Sequence, residues 1–241
     1  MDRAIGPDTP TKMIMNKEPE VGERIYKEWQ GDSLNLTAKV VCGPCNSGWM
    51  SDLENEEAKP ILKDMIVHGS AVSLFPRGIV SIAAFAFKSA VIGDHMNYPA
   101  NHFFSHDVRR QFMVSLDLPR GIQIWVTSYN TPRKRGGYFS GRYPYIERSV
   151  PKGFQLYVFT YCIGYFMFQL VAFKYHRSRF RKHAAPLTLH PDTFWNRIAI
   201  PLWPNDGSSV EWPPPLQLQS ELVETFSDRW ARFDAPRELL W

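Results

Sequence analysis

The spacing of apolar positions along this chain changes character several times, and each change predicts an element. Residues 1 to about 40 are polar, carry Pro7, Pro10 and Pro19, and offer no long apolar face. Within them only "GERIYKEWQG" has the makings of a short helix or strand. In "SDLENEEAKPILKDMIVHG", Leu53, Ile61, Leu62, Met65 and Ile66 recur at helical spacing. Ser51 is placed to cap that helix, with Glu54 three residues on reaching back to the cap's own N–H. Pro60 predicts a kink or a split, because its ring clashes with the carbonyl one turn back. "GIVSIAAFAFKSAVIGDHM" is apolar almost all round, as a buried central helix is. Another helix is expected from Ser105 to Leu116. "GIQIWVTSY" (121–129) alternates like a strand. "NTPRKRGGYFSGRYP" (130–144) reads as a basic, Gly-rich loop or hairpin tip.

The uncharged run "FQLYVFTYCIGYFMFQLVAF" (154–173) has the length of a membrane span and a basic flank after it. Its Tyr, Phe and Val content, together with Gln155, Thr160, Gln169 and Gly164, predicts instead two buried strands joined near Gly164. Beyond residue 186 prolines cluster, and Pro213, Pro214 and Pro215 form a stiff spacer. In "LQSELVETFSDRWARF", Leu218, Leu222, Phe226 and Trp230 share one helical face, which has to pack on this chain or on a partner.

The resulting fold class is α+β: a knuckle element followed by a mixed helical and antiparallel β domain, the knuckle being a partial treble-clef or zinc-knuckle element only by resemblance of its motif to a known family. Three regions are expected, at 1–68, 69–212 and 213–241, the last holding the spacer and the amphipathic helix. At 241 residues, 44% hydrophobic and 14% aromatic, the chain is long and apolar enough for a sizeable core. A net charge of +4 permits a polyanionic partner without requiring one. Three cysteines, an odd and low number, point to a reducing compartment, the cytoplasm, and away from a disulfide framework.

Two of those cysteines pose the chemical question. In "VVCGPCNSGWMSDLE", Cys42 and Cys45 flank a Gly-Pro turn that lets two thiolates reach one metal from a single loop. A structural zinc wants four ligands. Cys162 lies in the apolar run and reads as core, and the nearest histidines, at 68, 95, 102 and 106, stand in no recognisable ligand pair with Cys42 and Cys45. A redox pair is a further reading, although such a motif sits in a thioredoxin-like βαβ pattern that this chain does not present. Two metal-free thiols in a loop is the third.

The wider string resembles the second zinc knuckle of HNH-endonuclease-like bacterial and phage proteins, which continues C-N-x-G-W-M-x-x-L-E and then a helix with Pro-x-Leu. The matching positions are Cys42, Cys45, Asn46, Gly48, Trp49, Met50, Leu53, Glu54, Pro60 and Leu62, and "FAFKSAVIGDH" resembles that family's next helix. The resemblance implies a structural zinc held in part by Cys42 and Cys45, Mg or another divalent cation if the protein cuts, and Asn46 as a catalytic residue. It also implies an upstream C-x2-C and an acidic-His pair bearing the general base, and residues 1–41 contain neither Cys nor His. Asn35 is poorly spaced for the middle letter of the motif. Three explanations rank in order: a start inside a longer reading frame, a homologue that binds without cutting, and a partner chain that brings the missing ligands.

Two basic clusters add phosphate-binding candidates: Arg133, Lys134 and Arg135, then Arg177, Arg179, Arg181 and Lys182 with aromatics between them. A solvated charged edge is the plainer reading of each. The acidic run Asp52, Glu54, Glu56 and Glu57 is expected to serve a helix N-terminus more than a cation. Trp49 is expected to pack the knuckle on the following helix. The functional expectation is an HNH-endonuclease-like nucleic-acid-binding protein, incomplete for catalysis; the alternative is a protein- or DNA-interaction module without nuclease activity. DNA is the first partner expected, RNA the second, a protein on the C-terminal helix the third. A membrane is not expected.

Overall fold

A computed structural model describes residues 10–16, 26–32, 40–96, 102–144, 154–175, 197–219, 222 and 226, with backbone alone at 10–16, 26–32, 133–144, 154 and 175. Strands β1 (Pro10–Asn16) and β2 (Tyr26–Asp32) pair antiparallel, so the described part of the undecided "GERIYKEWQG", from Tyr26 on, is strand. Three helices follow in one run: α1 (Gly43–Ser47), α2 (Trp49–Asp52) and α3 (Lys59–Val67), with a π-helical segment, Leu53–Ala58, before the last.

That run corrects the expected cap. Ser51 lies inside α2, and the helical run begins earlier because Cys42, extended at φ −68° and ψ 153°, accepts the Cys45 N–H through its sulfur. Glu54 does not reach back either, since its carboxylate pairs with Lys88. Pro60 acts as expected, and the chain accommodates it by widening the turn before it: the Lys59 N–H reaches five residues back to Glu54 O. Pro60 then sits in the first turn of α3, where its missing N–H is harmless.

Helix α4 (Pro76–His95) is long and apolar enough to cross a bilayer by length and composition, but more than half of that stretch is buried inside the chain. Ile79, Ile82, Ala83, Ala86, Phe87 and Ala90 are fully covered. Helix α5 (His106–Ser115) has the expected bounds, with Ser105 as its cap and Leu116, at φ 57°, closing it.

Strands β3 (Val72–Leu74) and β7 (Val210–Trp212) pair with each other. The main sheet has the order β5-β4-β6, from β4 (Ile122–Pro144), β5 (Phe154–Tyr175) and β6 (Ile200–Trp203), and is antiparallel throughout. Two expectations fail here. The basic stretch 130–144 is no tip but part of β4, and 154–173 is one strand rather than two. The register explains both. From Ser128 to Arg133, β4 advances five positions while β5 retreats two, from Phe166 to Gly164. From Arg133 to Gly137 it advances four against two. The surplus residues bulge out of the ladder, as extra residues in one strand do. Gly164, at φ +55°, bends β5 without ending it. A Cβ there would lie 2.9 Å from the Ile66 carbonyl carbon and closer still to its oxygen, so only glycine lets α3 and β5 meet.

The sheet is buried on both faces. Tyr157, Phe159, Phe166, Phe168 and Leu170 join α3 and α4 in the larger core, which also takes Leu53, Leu62 and Met65. Their neighbours Leu156, Val158, Cys162, Met167 and Val171 form a second core with Trp125, Tyr129, Leu218 and Phe226. A strand covered on both faces reads as an unbroken apolar run, which is why this one imitates a membrane span. Cys162 is core, as expected. Leu218 is not part of the expected helical face, because it pairs with Tyr129 in a parallel β-bridge; it and Phe226 are buried in the second core with Leu222 packed against them, and Trp230 lies outside the described residues.

Candidate functional site

The Gly-Pro turn folds back far enough for the two cysteines to touch. The Cys45 N–H points at Cys42 Sγ, 3.4 Å away, while the Asn46 N–H bonds Cys42 O at 3.0 Å. Gly48 makes the turn possible, because a Cβ there would stand 2.7 Å from Pro44 O. Cys42 is exposed and Cys45 half-buried. A hydrogen bond from the Cys45 thiol, helped by the Cys45 N–H, draws Cys42 below the ordinary thiol range. The same bond, with burial, pushes Cys45 above it, and the nearby Trp49 indole N–H opposes that rise. On titration the negative charge therefore forms first on Cys42.

Both cysteines open into a cavity of about 490 Å³. Trp49 forms part of its wall and meets Phe112 of α5 edge-on, ring centroids 5.8 Å apart. Trp49 therefore packs on α5 as well as joining the larger core. Lys88 and His95 line the cavity from α4; His106, Arg109 and Arg110 line it from α5. The histidines grouped in sequence are grouped in space as well. His95 stacks on His102 with centroids 4.2 Å apart, and Arg109 Nη1 lies 2.7 Å from His95 Nδ1. Burial, then the Arg109 charge, then His102 hold His95 below its ordinary pKa, with Asp94 opposing, so its neutral form is favoured.

The loop that carries His102 is fixed by one buried carboxylate. Asp94 accepts the N–H groups of Phe103 and Phe104, each at 2.9 Å. The acidic run before it does structural work of a kind not expected for a helix terminus: Glu54 pairs with Lys88, and Glu57 bonds Arg77 at 3.3 Å and Ser81 Oγ at 3.1 Å. These contacts tie the π-helical segment to α4.

Lys88 is 3% exposed, and burial lowers its pKa from 10.5 to about 8. The unfolded chain holds that proton more tightly, so this destabilising contribution is full below about pH 8 and fades as pH climbs to 10.5. Replacing a buried charge with an apolar isostere is often neutral or better, whereas orphaning it is costly. Lys88→Met is therefore expected to stay within about 1 kcal/mol of the parent or exceed it, and to flatten the alkaline rise in stability. Glu54→Gln is expected to lose about 1–2 kcal/mol, discounted for the half-exposed carboxylate. Urea titrations at pH 7 and 10 check both, and a loss above about 2 kcal/mol in Lys88→Met would refute this account of the pair.

A metal fits only half of this arrangement. The two thiols converge from one turn, as zinc ligation needs, yet among the described residues no three His, Cys, Asp or Glu side chains are arranged to hold an ion. Asn46 is exposed and does not line the cavity. Arg133, Lys134 and Arg135 have their backbone in the bulged part of β4. Arg177, Arg179, Arg181 and Lys182 lie outside the described residues. Sequence reasoning named His106 only as a histidine close to others in sequence and passed over Arg109, Arg110 and Met113, although the i, i+3, i+4, i+7 spacing of these four marks one face of a helix. Comparison with protein-family models, curated proteins and solved structures found no match to this chain.

Proposed function

We propose that this chain is an HNH-endonuclease-like nucleic-acid-binding protein that binds without cutting, with Cys42 and Cys45 as half of a structural zinc site. The observation that supports this most is the convergence of both thiols on the rim of a cavity whose other side carries Arg109 and Arg110. Neither arginine is ion-paired to a carboxylate among the described residues. Guanidinium groups without carboxylate partners suit phosphate, and DNA is the expected partner, with RNA second. Catalysis by HNH chemistry needs a neutral imidazole to activate water and a divalent cation at the scissile phosphate. His95 offers a neutral imidazole, but Asn46 does not share its cavity and no described cluster would hold the cation.

The purified chain is expected to retain DNA at low salt and to weaken about 40-fold from 50 to 200 mM salt if three phosphates are neutralised. With added Mg or Mn it is expected to leave supercoiled plasmid intact, and Asn46→Ala to change nothing. Cys42→Ser and Cys45→Ser are each expected to abolish zinc retained after dialysis, measured by elemental analysis. A flat salt response removes nucleic acid from the reading; metal-dependent nicking lost in Asn46→Ala overturns the non-cutting half.

One observation favours a protein-interaction module as a second reading. Val114 and Met113 of α5 are 77% and 40% exposed, an apolar edge beside the cavity. Salt-insensitive association abolished by Val114→Asp would select it.

A further inference from the structure

The cavity beside the cysteines has a composition that selects a ligand class. Its apolar wall includes Trp49, Val91, Ile92, Phe112 and Met113, and its lining contains five Lys, Arg or His side chains and no carboxylate. The volume, about 490 Å³, falls inside the range usual for small-molecule sites. Not all of these side chains offer a free positive charge, and His95 favours its neutral form. Lys88 is already matched by Glu54, and His106 Nδ1 stands 3.8 Å from the carboxylate of Asp107. Arg109 lies against the imidazole of His95, and Arg110 is exposed at the rim. The two guanidinium groups are thus the charge left for a ligand.

A simple anion satisfies the arginines but leaves the apolar wall wet. A wholly apolar ligand covers the wall but strips water from two cations without replacing it. A flat ring carrying a phosphate satisfies both. We infer that this cavity binds a single unpaired nucleotide, its base against the Trp49–Phe112 wall and its phosphate at Arg109 and Arg110. The inference rests on the nucleic-acid reading for the source of the nucleotide, a strand end or an unpaired base. A paired base cannot enter such a pocket without leaving its stack, so single strands are preferred over duplex. The apolar wall makes the preference for base identity weak, because every base presents a flat face to it.

Equilibrium dialysis of the full chain with deoxyadenosine 5′-monophosphate, deoxyadenosine and inorganic phosphate tests this. The expected result is one saturable site for the monophosphate, at least tenfold tighter than for the nucleoside or for phosphate. Arg110→Glu, at an exposed position, is expected to weaken that site at least tenfold with the melting temperature unchanged. Met113→Trp, at the half-exposed mouth, is expected to fill the slot and lower affinity for monophosphate and nucleoside alike. Equal affinity for phosphate and monophosphate overturns the base slot, and indifference to both substitutions overturns the location. DNA retention without monophosphate binding sinks this inference and leaves the nucleic-acid reading standing. Monophosphate binding without DNA retention does the reverse.

Discussion

Gly164→Ala is expected to cost about 3–5 kcal/mol of folding stability. Two penalties combine. A left-handed backbone costs a non-glycine residue about 1–2 kcal/mol, and Gly164 sits at φ +55°. The added Cβ would also overlap the Ile66 carbonyl, which is backbone and cannot rotate away. Either α3 lifts off β5 or the strand loses its bend, and both open the larger core. Gly207→Ala separates the two penalties: Gly207 has φ +96° but no heavy atom within 4 Å of its built Cβ. That variant is expected to lose only about 1 kcal/mol. Urea denaturation of both proteins is the measurement. Equal losses would mean that the approach of Ile66 to the strand contributes nothing.

Asp94→Ala is expected to be nearly as damaging, at about 3–4 kcal/mol. Asp94 is fully buried, and its two oxygens accept the N–H groups of consecutive residues, Phe103 and Phe104. Without the carboxylate both donors are left in an apolar setting, where each costs about 1–3 kcal/mol. The setting is apolar because Phe103 stacks on Tyr157 and Phe104 meets Phe87 edge-on, centroids 5.4 and 5.1 Å apart. Asp94→Asn keeps one acceptor oxygen and is expected to lose about half as much. Amide exchange at Phe103 and Phe104 should rise sharply in Asp94→Ala and moderately in Asp94→Asn. Because this loop holds His102 against His95 and leads into α5, nucleotide affinity should fall with it. A loss under about 1 kcal/mol would show that another group satisfies these amides.

The helices were legible and their partners were not. The helix expected from Ser105 to Leu116 matches α5 nearly to the residue, with Ser105 as its cap and Leu116 as its stop. Pro60 announced its disturbance, though not the widened turn that absorbs it. The sheet was harder. A strand covered on both faces has no polar alternation, so residues 154–173 looked like two strands or a membrane span. Glycines at 136, 137 and 141 suggested a tip, because glycine is the residue of turns. The bulges that place these residues inside β4 depend on pairing with β5, which local sequence does not encode. The cysteine pair was visible from its spacing. The cavity beside it was not, because it joins α1, α4 and α5 across more than sixty residues of chain. His95 and His106 were noticed as neighbours in sequence; only the folded chain sets them beside the thiols.

The doubly covered strand β5 leaves a problem of alignment that hydrophobicity cannot solve. Sliding it by one residue would exchange one apolar set for another of similar character, where an ordinary half-buried strand would expose its grease. Something other than oiliness must key the alignment. Gln169 bonds Thr160 at 2.9 Å inside the second core, and only Gly164 fits beneath Ile66. These act as two notches on an otherwise smooth ruler. A chain that lost both would keep its apolar content and its sheet, yet would be free to settle into neighbouring alignments, with α3 seated differently in each.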